Sequence, residues 1–301
     1  MPATLVYLIL AVVLNAYLAV VFKIFARFGV EDFQAIVFNY LTCVVTGSVF
    51  LGGLPIGAQS LHQPWLPWAV GMGLSFISLF SLTAYCIQQS GIAATSVANK
   101  LSLVIPVAFA VWLYHEPLPW QKIAGIIIAL PAVWLSTKSA EEQEHKKRRA
   151  WLLPLLLFVG SGLLDTTVNH ITQTFFAKPD AATQHAQASY LVHSFAAAGT
   201  IGLLFLLTQY AIGKRRFAWR HLIAGIVLGI PNFFSIYFLI KLLNSGFMDT
   251  SAALPATNIG VVLLAASCAM TFFGEKTSWQ RIAGLALSVA SILFLCFSGT
   301  K

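Results

Sequence analysis

Ten long apolar runs dominate the 301-residue sequence, and each is long enough to cross a lipid bilayer as an α-helix. The runs are continuous and do not alternate with a period of two, which favours helices over a β-barrel. The connections between them, the longest near 139–150 and 174–187, are too short to hold a soluble domain. The sequence therefore predicts an all-α polytopic membrane protein with ten transmembrane helices, near residues 5–25, 33–52, 68–87, 92–114, 122–136, 152–172, 188–211, 222–242, 247–273 and 279–297.

The composition supports this architecture, because 58% of the residues are hydrophobic and only 9% are charged. Ordinary soluble domains carry roughly 25% charged residues. The composition therefore excludes a cytosolic enzyme, a secreted domain and a disordered chain. We attribute the net charge of +8 to Lys and Arg residues retained in cytoplasmic loops, so nucleic acid is not an expected partner.

Two segments recur in the same order along the sequence, which indicates an internal repeat. Residues 90–96 (SGIAATS) return as residues 245–251 (SGFMDTS), and residues 120–125 (WQKIAG) return as residues 279–284 (WQRIAG). Each copy holds five of the ten predicted helices. Because five is odd, the two copies enter the membrane from opposite sides, and we predict an inverted repeat with a pseudo-twofold axis in the membrane plane.

The predicted domains are a five-helix repeat at 1–138, a charged linker at 139–150 and a second five-helix repeat at 151–301. One glutamate in each copy, Glu116 or Glu275, precedes the tryptophan of the second repeated segment by the same distance. These glutamates end helices beside basic residues, which predicts a structural role in the turn into the next helix.

In residues 115–125 and 274–284, the glutamate is followed by a short polar turn, a bulky residue, a Gln and a Gly. This pattern resembles that of the EamA-type ten-helix permeases of the drug/metabolite transporter superfamily, which repeat a five-helix unit. The resemblance covers essentially the whole chain and implies a small-molecule transporter. Many members have a proline inside the fourth helix of both units. Here Pro106 and Pro255 stand at non-equivalent positions, so we expect gating to differ between the halves.

Asp165 is the only acidic residue deep within a predicted span, and Lys100 is the only basic one. Asn169 shares the helix face of Asp165, His170 lies on an adjacent stripe, and Asn99 precedes Lys100. A charge at this depth is costly and indicates a functional site by default. The pair is a candidate for proton coupling or for binding a substrate amine and carboxylate. A structural ion pair, a structural hydrogen bond, and a position of the lysine nearer the interface are the alternatives.

Further polar groups within the spans together predict a partly polar central cavity, although each alone is more typical of a hydrogen bond between two helices than of a ligand contact. These residues are Asn15, Asn39, Tyr40, Asn232, Tyr237, Thr257 and Asn258. Prolines at three positions are predicted to bend helices where such a cavity opens and closes. They are Pro106, Pro231 and Pro255.

No catalytic, metal-binding or ATPase motif occurs in the sequence, so we expect no enzyme activity, metal or cofactor, and a gradient must supply the energy. We expect a secondary-active exporter or permease of a small metabolite or amphipathic compound, working by alternating access, with protons as the candidate coupling ion. One alternative is an exchanger of sugar phosphates or nucleotide sugars. Another is a membrane scaffold or lipid-handling protein that transports nothing.

The expected location is the cell membrane, the inner membrane of a bacterium, with the lipid bilayer and a small solute as partners. A homo-oligomer is compatible with the sequence. Thirteen Lys and Arg residues lie in odd-numbered connections, against four in even-numbered connections and the tails. The positive-inside rule then places the odd-numbered connections in the cytoplasm and both termini outside. The family resemblance implies the opposite, so both orientations stay open.

Overall fold

Helices make up nearly all of the computed structural model, which describes residues 2–114, 119–137, 151–176, 181–243, 250–275 and 278–296. The predicted linker at 139–150 lies outside the described residues. The helices are α1 (Pro2–Arg27), α2 (Asp32–Phe50), α3 (Leu66–Ser90), α4 (Ile92–Leu101), α5 (Val104–Tyr114), α6 (Trp120–Thr137), α7 (Leu152–Phe175), α8 (Ala181–Ala211), α9 (Trp219–Leu243), α10 (Thr250–Phe273) and α11 (Trp279–Cys296). A short 3-10 helix at Ala58–His62 lies between α2 and α3.

The predicted all-α, multi-pass architecture is confirmed. Among the described residues, eight spans are long and apolar enough to cross a membrane, and α6 and α11 supply two shorter apolar helices. In this count α4 and α5 together form the fourth span, at 92–109. The boundaries differ mainly at α8, which begins at Ala181 and not near residue 188. Its first turns are polar, so they lack the apolar signal from which the span was predicted.

The fourth span is divided by two residues that lie between α4 and α5. Pro106 explains the break, because a proline ring clashes with the carbonyl group four positions earlier and has no N–H to donate to it. That carbonyl belongs to Ser102, and it accepts a hydrogen bond from the Ile105 N–H at 2.9 Å instead. The fourth span thus consists of two helices, α4 and α5, and the interruption lies just before the proline that was predicted to bend this span. By contrast, α9 continues through Pro231, and α10 continues through Pro255.

The described residues form two compact units. The first comprises residues within Met1–Lys23, Leu82–Thr166 and Phe234–Lys301, and the second residues within Ile24–Ser81 and Thr167–Phe233. Each unit draws on both halves of the sequence. The units are therefore a different division from the predicted repeats at 1–138 and 151–301, and the repeats stay a prediction.

In the first unit, α6 and α11 pack along each other, and α4 lies against α6, α10 and α11. Small residues permit this close approach. A Cβ atom added at Gly125 would lie 2.7 Å from Leu295 Cγ, and one at Gly284 would lie 2.5 Å from the Ser136 nitrogen. The helices enclose an apolar core that includes Val97, Ala98, Leu101, Val262 and Ile292. Three neighbouring helices thus hold α4, which carries Lys100.

In the second unit, α2 packs against α8, and glycines again mark the closest approaches. A Cβ atom added at Gly225 in α9 would lie 2.9 Å from the main-chain carbon of Phe38 in α2. One at Gly199 in α8 would lie 2.9 Å from Leu41 Cδ2. Since backbone atoms cannot move aside as side chains do, a larger residue at Gly225 would push α2 and α9 apart.

Two glycines of α3, Gly71 and Gly73, give a matched test of this packing. A Cβ atom added at Gly73 would lie 2.7 Å from the Ala198 nitrogen and 2.8 Å from the Ser194 carbonyl oxygen, whereas one at Gly71 has nothing within 4 Å. We expect Gly73→Ala to cost about 1–3 kcal/mol through overpacking and to lower the Tm of the purified protein. Gly71→Ala should leave the Tm unchanged or raise it slightly, since alanine favours helix. Equal Tm values for the two variants would contradict the described contact.

Candidate functional site

Lys100 and Asp165 lie next to the break in the fourth span, within the first unit. Lys100 occupies the last turn of α4, Asp165 lies near the middle of α7, and their charges are close enough to interact. The Ser102 hydroxyl lies 3.5 Å from Asp165 Oδ2 but only 2.5 Å from the Asn99 carbonyl oxygen. Because a hydroxyl has a single proton, the shorter bond within α4 dominates. Asp165 therefore depends mainly on Lys100 for charge compensation.

The two helix ends at the break favour a positive charge on Lys100 and a negative charge on Asp165. The C-terminal end of α4 carries partial negative charge, which stabilises the Lys100 ammonium group. Gly162 of α7 packs against the first turn of α5, where an added Cβ would lie 2.6 Å from Ile105 Cβ. That contact brings Asp165, one turn further along α7, to the partially positive end of α5. Broken helices with this polarity are where many secondary transporters bind their solutes and coupling ions.

Both side chains of the pair are at least partly accessible at the surface of the chain. The Asp165 side chain is exposed and the Lys100 side chain is half-buried. A carboxylate exposed within a membrane span is costly unless water, a counter-ion or a solute reaches it. The arrangement can therefore take up a proton at Asp165 or offer charges of both signs to a solute.

Two other predicted site residues of the first unit, Asn15 and Asn258, form no hydrogen bond with this pair within the described chain. Asn15 donates to the Ala11 carbonyl of its own helix at 2.9 Å, and Asn258 is half-buried in α10. The Pro255 side chain lies outside the described residues. A role for these residues in the cavity therefore stays a prediction.

Two predicted site residues of the second unit are buried in contacts between helices. Asn232 donates to Asn39 Oδ1 at 3.1 Å, which links α9 to α2. The Tyr40 hydroxyl donates to the Phe76 carbonyl at 2.9 Å, and the Tyr40 ring is 3% exposed among aromatic side chains. Both arrangements have the form of helix–helix hydrogen bonds, which was the alternative interpretation of these residues.

Asn169 and His170 follow Asp165 along α7 and are counted with the second unit. The Asn169 side chain is exposed. The His170 ring lies 5.7 Å from the Trp68 ring, centre to centre. Among the described residues, no group of three or more His, Cys, Asp or Glu side chains is placed to hold a metal ion.

Glu275, predicted to act in the turn between α10 and α11, also contacts the start of α4. Its Oε1 atom accepts the Ile92 N–H at 2.9 Å and lies 4.0 Å from Lys23 Nζ, while Oε2 lies 3.6 Å from Arg281 Nη1. Gly91 precedes this helix start with φ of +89°, a conformation that favours glycine, and a Cβ there would lie 2.6 Å from the carboxylate. Glu275 thus joins α1, α4 and α11 at one point.

Two repeated features of the sequence point to the two groups that form this contact. The repeated SG dipeptide at Ser90 and Gly91 ends one helix and opens the next, leaving main-chain N–H groups that need an acceptor. The repeated glutamate supplies such an acceptor 183 residues away. Nothing in the sequence alone pairs two motifs at that separation.

Residues 4–138 match the EamA-like transporter family. The match covers a little under half of the chain, and over these residues the chain is similar to EamA-like transporters. The match agrees with the resemblance deduced from the sequence. The family consists of membrane transporters, so the similarity points to a small solute and the lipid bilayer as partners.

Two further comparisons cover nearly the whole chain. An uncharacterized protein of Haemophilus influenzae is 28% identical over 298 residues, which span 96% of this chain and 97% of the relative. A chain in a solved crystal structure is 16% identical with a TM-score of 0.61, and the match covers 99% of this chain and 98% of that one. At that identity the second match shows the fold alone.

Substitution of Glu275 tests its contacts directly. Glu275→Ala removes this acceptor from the Ile92 N–H and removes the Glu275 carboxylate from the side of the Arg281 guanidinium, which is 8% exposed. Breaking a buried pair in this way costs about 3–5 kcal/mol, so we expect a large fall in the Tm measured in detergent. Glu275→Gln should fall less, because an amide oxygen still accepts the main-chain bond. A Tm unchanged in both variants would refute the role assigned to Glu275.

Proposed function

We propose that this EamA-like chain is a secondary-active permease that moves a small metabolite or amphipathic compound across the cell membrane by alternating access. The observation that supports this is the broken fourth span, where Lys100 and Asp165 share one location between two helix ends. A bacterial inner membrane is the proposed location. The energy source is proposed to be a proton gradient acting at Asp165.

The chemistry of the pair supports proton coupling. While Asp165 is ionised, its negative charge partly compensates the positive charge of Lys100. When Asp165 accepts a proton, Lys100 loses its counter-ion and becomes available to an anionic or strongly polar group of the solute. Proton and solute then favour different states of the same pair. Such competition is what couples a gradient to solute movement.

The exchanger of sugar phosphates or nucleotide sugars receives less support from these residues. Such solutes carry two or more negative charges and need an excess of basic groups in the cavity. Lys100 is already matched by Asp165, and the described part of the fourth and sixth spans brings no second base to the pair. We therefore propose a solute with at most one net charge.

Proteoliposomes loaded with purified protein and exposed to a pooled, isotopically labelled metabolite extract test the proposal. With a pH gradient imposed, the wild type should accumulate specific solutes, identified by mass spectrometry of the vesicle lumen. Asp165→Asn keeps the size of the side chain but cannot ionise, so gradient-driven accumulation should fall by about tenfold or more. Exchange of the same solute at equal pH should persist.

A structural role for the pair predicts a different pattern, which Lys100→Met separates from coupling. If Asp165 only compensates Lys100, Asp165→Asn should lower the Tm and the double variant Asp165→Asn, Lys100→Met should restore it. If solute uptake never exceeds that of protein-free vesicles under any gradient, the chain does not transport the pooled solutes. That result would favour the alternative of a membrane scaffold or lipid-handling protein. Normal gradient-driven flux in Asp165→Asn would rule out coupling at this residue.

A further inference from the structure

An open cleft of about 580 Å³ lies at one end of the second unit. It is formed by the segment between α1 and α2 and the segment between α8 and α9, which meet at the same end of α2. Four basic residues line it, Lys214, Arg215, Arg216 and Arg220, together with a single acidic residue, Glu31. The cleft therefore carries a clear excess of positive charge.

The acidic residue of the cleft, Glu31, is bonded to three neighbouring residues. Glu31 pairs with Arg215, accepts a hydrogen bond from Gln34 Nε2 at 2.5 Å, and donates its N–H to His221 Nδ1 at 3.1 Å. Gln34 also donates to the Arg216 carbonyl at 3.3 Å and accepts from the Tyr210 hydroxyl at 2.6 Å. This network fixes the two segments relative to each other within the unit.

The side chains of three basic residues in the cleft take no part in this network. Within the part of the chain that the structure describes, Lys214, Arg216 and Arg220 form no ion pair. The Arg220 guanidinium lies against Gly29, whose φ is +58°, and a Cβ added there would come 3.5 Å from Arg220 Nη1. Three cationic groups on a fixed frame are suited to a phosphate, which accepts charge-assisted hydrogen bonds from several donors at once.

The rim of the cleft indicates how deep it lies in the membrane. Phe28, Phe217 and Trp219 adjoin the cleft residues in sequence and are 72%, 47% and 70% exposed. Exposed aromatic side chains beside basic residues are typical of the level of the lipid headgroups. A phosphate at that level belongs to a lipid, because the acyl chains can then lie along the apolar helices below.

We propose that this cleft binds the headgroup phosphate of an anionic phospholipid. Arg216, Arg220 and Lys214 contact the phosphate, while Arg215 stays paired with Glu31. The rim aromatics lie against the glycerol and upper acyl region. The site is separate from Lys100 and Asp165 and does not depend on the transport proposal.

Native mass spectrometry of the full chain, released from vesicles holding phosphatidylglycerol and phosphatidylcholine in equal amounts, tests the site. The wild type should retain phosphatidylglycerol preferentially. Arg216→Gln with Arg220→Gln should weaken that retention by about 30-fold, since each base near the surface contributes a factor of roughly five to the affinity. Glu31 and Arg215 are untouched in this variant, so the frame of the cleft and the Tm should be preserved.

The matched control is Lys122→Gln with Lys241→Gln, which removes the same two charges from outside the cleft. This control should keep the wild-type preference for phosphatidylglycerol. Equal loss in the two double variants would show that only total charge matters, and the proposal would be wrong. Displacement of the lipid by millimolar inorganic phosphate would also contradict it, because the cleft would then be a site for soluble anions.

Discussion

Main-chain polar groups have no water to bond with in the core of a bilayer, so a helix that stops inside the membrane must find other partners for its ends. The fourth span of this chain stops at Ser102 because Pro106 cannot continue the helix. The Ser102 carbonyl bonds to Ile105, and its hydroxyl bonds back to Asn99. The rest of the candidate site depends on this break, because it creates the polar helix end beside which Lys100 and Asp165 lie.

The short helix α4 connects that break to a second polar point. Its last turn carries Lys100, and its first N–H group is bound by Glu275, which also contacts Lys23 and Arg281. Between these ends α4 is almost wholly buried against α6, α10 and α11. A buried helix fixed at both ends moves as a body. A displacement of α4 at one polar end is therefore expected to displace the other end as well.

The sequence predicted the spans because apolar runs of sufficient length have one stable solution in a bilayer. It also singled out Lys100 and Asp165, since charges are rare at that depth, and Pro106 marked the unusual helix. It did not predict the break itself or the partner of Glu275, because both depend on which groups approach from distant segments. Asn232 and Tyr40 show the same limit. The sequence shows that both are polar, but it does not show that Asn232 bonds to Asn39 or that Tyr40 bonds to the Phe76 carbonyl.

Access to the break from both sides of the membrane is the central requirement of this account. It can be measured by placing a single cysteine at Asn99, which is half-buried beside Ser102, after replacing Cys43, Cys86, Cys268 and Cys296. A membrane-impermeant thiol reagent should label Asn99→Cys both in right-side-out and in inverted vesicles, and should label neither face of a Leu293→Cys control in the apolar face of α11. Labelling of Asn99→Cys from one side only, or from neither, would contradict the account.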